Sequence, residues 1–147
     1  MRYVHTNIVA EDWRSLADFY VNVFGCTTVP PERNLSGEWL DRATGIEGAH
    51  IRGIHLRLPG HGEDGPTLEI FQYDTDLEHP VPLASRPGLG HIAFAVEDVT
   101  AVKADVLEAG GGAVGEVVSV ETPGAGGIEF TYLTDPEGNI IEIQSVK

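Results

Sequence analysis

Cysteine is almost absent: Cys26 is the only one in 147 residues. An intramolecular disulfide is excluded, and so is any zinc site built on CxxC or paired Cys/His spacing. Cationic residues are scarce too. Nine Lys and Arg stand against 23 Asp and Glu, a formal net charge of −14, which disfavours phosphate backbones and anionic membrane surfaces. Nucleic acid is set aside as a partner. No run approaches the ~20 apolar residues of a membrane span, and Met1-Arg2-Tyr3-Val4-His5 lacks the apolar region of a secretory leader. A cytoplasmic protein without membrane association is expected. What is present is turn chemistry: 18 Gly and 9 Pro within a composition 41% hydrophobic and 22% charged, which points away from a helical bundle. A chain of this length buries roughly 68–70% of its unfolded surface and needs no staples.

The chain repeats itself at an offset of 86 residues. His5 precedes Glu11-Asp12 as His91 precedes Glu97-Asp98, and the residues between alternate as strands do. Helical periodicity follows each Asp. Trp13, Leu16, Ala17, Tyr20, Val23 and Phe24 form one stripe, capped by Asp12 and stopped by Gly25. Val99, Val102, Val106 and Ala109 form the other, capped by Asp98 and stopped by Gly110-Gly111-Gly112. Strands are expected at 49–59 and 67–73 in the first half, and at 116–120, 127–133 and 140–146 in the second. Asp135-Pro136-Glu137-Gly138-Asn139 is a strong turn signal. The predicted fold is α+β: two βαβββ modules, 1–74 (with an insertion at 30–48) and 88–147, joined by a linker at 75–87. Neither module can cover its own sheet, so the two are expected to form a single domain with a curved mixed sheet around a trough.

Alternation assigns faces. The more apolar face of each strand receives the helices, which leaves His5, Glu69, His91 and Glu142 on the other. Each module thus offers one His near its start and one Glu near its end. Two imidazoles and two carboxylates suit a single divalent ion such as Zn, Mn, Fe, Co or Ni, with coordination positions left for water or substrate.

The segments Val4-His5-Thr6, Phe19-Tyr20, Phe24-Gly25, Leu68-Glu69-Ile70, Gly90-His91-Ile92-Ala93-Phe94-Ala95-Val96-Glu97-Asp98 and Asp135-Pro136-Glu137-Gly138-Asn139 before Ile141-Glu142 resemble the vicinal oxygen chelate superfamily of glyoxalase, bleomycin-resistance and extradiol dioxygenase folds. The resemblance covers nearly the whole chain. It implies paired βαβββ modules around a divalent metal, with ligands at His5, Glu69, His91 and Glu142, and a homodimer. The ligand pattern is closest to glyoxalase I and methylmalonyl-CoA epimerase, which isomerise a small-molecule substrate through a metal-bound enediolate or enolate. Extradiol and fosfomycin-modifying members use two His and one Glu, so Glu69 argues against a dioxygenase. Bleomycin-binding members generally lack the metal set. These alternatives remain: a dioxygenase in which Glu69 does not bind metal, or a non-catalytic drug-binding protein. On the resemblance Glu142 is the proton-transferring base. Glu47 resembles the second acid/base of epimerases, although the insertion loosens that match and a solvated loop glutamate is the competing reading.

Other residues carry weaker signals. His50 and His55 are five apart and face opposite ways on a strand, so they cannot share a metal, and His61 and His79 fall in loops. Gly124-Ala125-Gly126-Gly127 lacks the strand-to-helix context of a nucleotide loop and reads as a turn or a substrate-side loop. Cys26 reads as a small buried hydrophobe. Trp39 is either an aromatic wall of the trough or part of a helix packed on the sheet. Only Arg42, Arg52, Arg57 and Arg86 lie near segments expected to rim the trough, which argues against a polyanionic substrate such as a CoA ester.

Overall fold

The computed structural model describes residues 1–74, 81, 83–122 and 126–146. Part of the expected linker (75–80 and 82), with His79, and Gly124 and Ala125 of the glycine-rich turn lie outside the described residues. The chain divides into two compact units, Met1–Glu78 and His79–Lys147. Together the described residues form nine strands and three helices in two mixed sheets, the α+β class expected from the sequence. No helix among them is long and apolar enough to cross a membrane.

In the first unit β1 (His5–Val9) leads into α1 (Trp13–Phe24), β2 (Thr27–Ser36), α2 (Glu38–Thr44), β3 (His50–Arg57) and β4 (Thr67–Tyr73). The sheet order is β1-β4-β3-β2, with β1 parallel to β4 and the remaining pairs antiparallel. α1 starts where Asp12 accepts from the Arg14 and Ser15 amides, which satisfies donors the first turn leaves open. The Ser15 hydroxyl and amide also hold the Asp12 carboxyl below its ordinary range. The helix ends at Gly25, in the left-handed conformation at φ 67, which costs glycine no Cβ clash. Trp13, Leu16, Ala17, Phe19, Tyr20 and Phe24 are buried, and α1 packs on β3 and β4. Leu56, Leu68 and Ile70 stand in that core with at most 1% exposure, each such side chain stabilising by roughly 1.5–3 kcal/mol.

Residues 30–48 divide differently from a single insertion. Residues 30–36 complete β2, whose pairing with β3 shifts register between Val29 and Arg33. Pro30 and Pro31 stand in that gap, and neither has a backbone N–H to give the ladder. The added piece is α2. Its Leu40 is buried with Ala49 and Ile51, and Leu35, Phe71 and Tyr73 pack against them. Trp39, on the same helix, is 53% exposed, so Leu40 and not the tryptophan seats α2 on the sheet.

The second unit runs β5 (Ile92–Ala95), α3 (Val99–Glu108), β6 (Gly112–Ala113), β7 (Val118–Thr122), β8 (Gly126–Thr134) and β9 (Ile140–Val146). β5 is parallel to β9, β9 antiparallel to β8, and β6 and β7 both pair with β8. β6 and β7 thus take the place that the interrupted β2 has in the first unit. Asp98 caps α3 by accepting from the Ala101 amide, and Val99 and Val106 turn inward while Ala109 stays exposed.

The 135–139 turn fixes where β9 begins. Asp135 is 1% exposed. Its carboxylate accepts from the amides of Glu137 and Asn139 at 3.0 and 2.9 Å and from Asn139 Nδ2 at 2.8 Å. Gly138 supplies the positive φ of 88° that the turn requires. Replacing Asp135 by alanine leaves those donors unpaired, and hydrogen bonds to a charged group are worth about 1.5–3 kcal/mol. Urea titration of Asp135→Ala is expected to show a stability loss of at least about 2 kcal/mol, with Asp135→Asn retaining part of it.

Candidate functional site

In the first unit the strand pairing converges on Glu69. β1 and β4 run parallel with Asn7 opposite Glu69. His5, two residues earlier on the same face, therefore stands diagonal to the carboxylate. Its Nε2 lies 3.4 Å from Glu69 Oε2, and Asn7 Nδ2 donates to the same oxygen at 3.3 Å. From the other side β3 places His55 directly across from Glu69, with its Nε2 3.1 Å from Oε1. Glu69 is 8% exposed, so these contacts replace most of its water. Burial pushes the His55 imidazole below its ordinary pKa, against the opposing pull of the Glu69 charge. His55 Nδ1 is also 3.3 Å from Thr67 Oγ1.

The second unit repeats the arrangement. β5 and β9 are parallel with Ala93 opposite Glu142, and His91, again two residues earlier, brings Nε2 to 3.0 Å from Glu142 Oε2. The cross-strand position that His55 holds in the first unit belongs here to Tyr132, opposite Glu142 in the β8–β9 ladder. Burial, then the Glu142 charge and the hydrogen bond the phenol gives it, raise the Tyr132 pKa. The His91 and Tyr132 rings are 5.1 Å apart.

The separations can be tested against a divalent ion. With bonds of about 2.0–2.2 Å to nitrogen and oxygen, neighbouring ligands lie about 3 Å apart in an octahedron and about 3.4 Å apart in a tetrahedron. The His–Glu separations of 3.4 and 3.0 Å match two adjacent ligands, and the mixed N/O donors suit a borderline metal. Among the described residues no group of three or more His, Cys, Asp or Glu stands at metal-holding spacing. Each pair by itself amounts to two ligands.

The remaining sequence candidates are placed elsewhere. His50, on the face of β3 opposite His55, bonds Asp74 Oδ2 at 2.6 Å and Asn34 Oδ1 at 2.7 Å. Arg52 also donates to Asp74. His61 and Glu47 are exposed in turns outside the strands, and neither is joined to either pair by a contact among the described residues. Arg86 donates to the Val81 carbonyl. Cys26 is buried, and desolvation pushes its thiol up to about 11, which leaves it protonated and unreactive at neutral pH. Sequence reasoning missed His55, Asn7, Thr67 and Tyr132. It separated His55 from His50 correctly, but the contact with Glu69 depends on the register of β3 on β4.

Comparison with known proteins agrees with this architecture. The model of the Glyoxalase/Bleomycin resistance protein/Dioxygenase superfamily matches residues 2–143, and the chain belongs to that superfamily. A glyoxalase family protein from Bacillus cereus superposes with a TM-score of 0.77 at 21% identity, covering 99% of this chain and 93% of the other. A glyoxylase/bleomycin resistance protein/dioxygenase domain from Frankia sp. EAN1pec gives 0.61 at 18% identity, over 100% and 97% of the two chains. A glyoxalase family protein from Enterococcus faecalis gives 0.58 at 22% identity, over 98% and 95%. These likenesses carry the fold. No curated protein matches the sequence.

Proposed function

We propose that the protein is a metal-dependent isomerase or lyase that moves a proton α to a carbonyl or thioester. His5 and Glu69 of the first unit and His91 and Glu142 of the second hold one divalent ion, within one chain or between the chains of a homodimer. The observation that carries this reading is the repeated diagonal: the parallel first and last strands of each unit bring one His Nε2 to a Glu carboxylate at 3.4 and 3.0 Å. A single close His–Glu contact is common, but its recurrence at the corresponding position of both units supports a ligand set drawn equally from the two repeats.

When bound, the ion supplies Lewis-acid stabilisation of the negative charge that grows on the carbonyl oxygen. Glu142 takes the α-proton and returns it to the substrate. His91 Nε2 lies 3.0 Å from it, and the Tyr132 hydroxyl orients it by donating a hydrogen bond. On the first unit Phe71, edge-on to His55 at 5.6 Å, continues the face that carries His5 and Glu69. The −14 charge favours a small uncharged acyl compound over a polyphosphate-bearing one.

Proton NMR in deuterium oxide tests the reading. Hemithioacetals of 2-oxoaldehydes and 2-methyl acyl thioesters are offered to the metal-loaded protein. Loss of the α-hydrogen signal is expected, with arrest on addition of chelator and recovery on addition of Zn, Ni, Co or Mn. Oxygen uptake on catechols without any such exchange would favour a dioxygenase. Tight binding of a hydrophobic compound indifferent to chelator, with no turnover, would favour a sequestering protein.

A further inference from the structure

We propose that His55 is the positioning residue of Glu69, occupying carboxylate oxygen Oε1 so that Oε2 alone is offered to a divalent ion. The inference rests on the reading that His5 and Glu69 ligate that ion.

Two strands approach Glu69 from opposite sides and divide its oxygens between them. β1 brings His5 and Asn7 to Oε2 at 3.4 and 3.3 Å, whereas β3 brings His55 Nε2 to Oε1 at 3.1 Å. A carboxylate only accepts, so Nε2 carries the hydrogen in this contact, and in the neutral ring Nδ1 accepts from the Thr67 hydroxyl at 3.3 Å. Both ring nitrogens are thereby used within the protein. The ring is also held sideways by Phe71. Phe71 can lie there because residue 53, its partner in the β3–β4 ladder, is glycine: a Cβ would come within 2.5 Å of Phe71 Cδ1 and 2.1 Å of the Ile70 carbonyl oxygen. Gly53, Phe71 and Thr67 therefore fix His55, and His55 fixes Glu69.

Glu142 is held by fewer groups. Ala93 stands where Asn7 does and gives it nothing, which leaves the hydrogen bond from the Tyr132 phenol, at the position of His55, beside the His91 contact. Glu69 is accordingly the constant ligand, and Glu142 the carboxylate with latitude to move a proton. Partners that orient a metal ligand are typically worth 10–100-fold in metal affinity.

Cobalt(II) titration of the chelator-stripped protein, followed by visible absorption and by competition with a chromophoric chelator, tests this. Wild type is expected to bind, and His55→Leu to bind about 10–100-fold more weakly with an altered visible spectrum. His55→Gln, whose amide N–H can reach the same oxygen, should recover most of the loss. Thr67→Val should weaken binding by a smaller factor, and thermal melting of the metal-free variants reports on their folding. Equal affinity in His55→Leu and wild type overturns the proposal while leaving the metal reading intact. Failure of glutamine to rescue also overturns it, by making His55 itself a ligand. Should the leucine variant not fold, Thr67→Val decides, and an affinity equal to wild type overturns the proposal. A wild-type protein that takes up no cobalt overturns the metal reading and this inference with it.

Discussion

Replacing His91 by alanine is expected to remove essentially all bound divalent metal and to reduce α-proton exchange to background. The argument is one of ligand number. His91 Nε2 is the only imidazole nitrogen that the second unit brings to a carboxylate oxygen among the described residues, at 3.0 Å from Glu142. Without it the second unit offers one oxygen where two donors stood. Loss of a direct ligand should exceed the 10–100-fold cost of losing an orienting partner, so the variant should bind more than about 100-fold less tightly. His5→Ala should do the same, because His5 stands at the corresponding register position against Glu69. Elemental analysis of protein purified without chelator gives the readout, and the two variants act as mutual controls. Each should lose the full metal content, since the four residues are proposed to hold one ion. A loss of half in each variant would mean two independent ions. Negligible metal in wild type and variants alike would favour a binding protein without metal chemistry.

Much of the local structure was legible because local physics determines it. α1 follows from an apolar stripe bounded by a capping Asp12 and a left-handed Gly25, and both ends fall where expected. β4 and β9 span the expected residues, Thr67–Tyr73 and Ile140–Val146, because each is bounded by turn residues. β2 was harder to read. Val29-Pro30-Pro31 looks like a strand breaker, and the strand survives only because β3 resumes pairing beyond the prolines at Arg33. The two-residue β6 was hidden for a related reason. Gly110-Gly111-Gly112 reads as a helix stop, yet Gly112 and Ala113 pair with Thr134 and Leu133, a long-range partnership that no local pattern announces.

The candidate site divides along the same line. Alternation within single strands, applied to a repeat, was enough to put His5, Glu69, His91 and Glu142 on the strand faces turned away from α1 and α3. That His5 meets Glu69 and His91 meets Glu142 follows from the parallel pairing of β1 with β4 and of β5 with β9. The other neighbours of those carboxylates were likewise beyond alternation. His55 meets Glu69, and Tyr132 meets Glu142, through antiparallel registers set by loop lengths. A shift of one residue in either register would turn the partner to the opposite face. The asymmetry that distinguishes the two glutamates, imidazole and amide against phenol, therefore emerges only from the fold.

That asymmetry yields the sharpest expected result, in Glu142→Gln. Glutamine preserves the size of the side chain and one oxygen able to ligate weakly, but it cannot accept a proton at neutral pH. Metal affinity is expected to fall modestly and to be restored by excess metal, while α-proton exchange at saturating metal falls by about 10²–10⁴-fold, the usual contribution of a positioned general base. Glu69→Gln should give the reverse balance. Its carboxylate is held by His5, Asn7 and His55, so the substitution disturbs three contacts and weakens metal binding, but exchange should recover once metal is saturating. The comparison is made by metal-competition titration and by proton NMR in deuterium oxide on the same samples. Exchange that persists in Glu142→Gln and vanishes in Glu69→Gln at saturating metal would transfer the base to the first unit. Equal loss in both, with metal fully bound, would mean that neither carboxylate alone moves the proton.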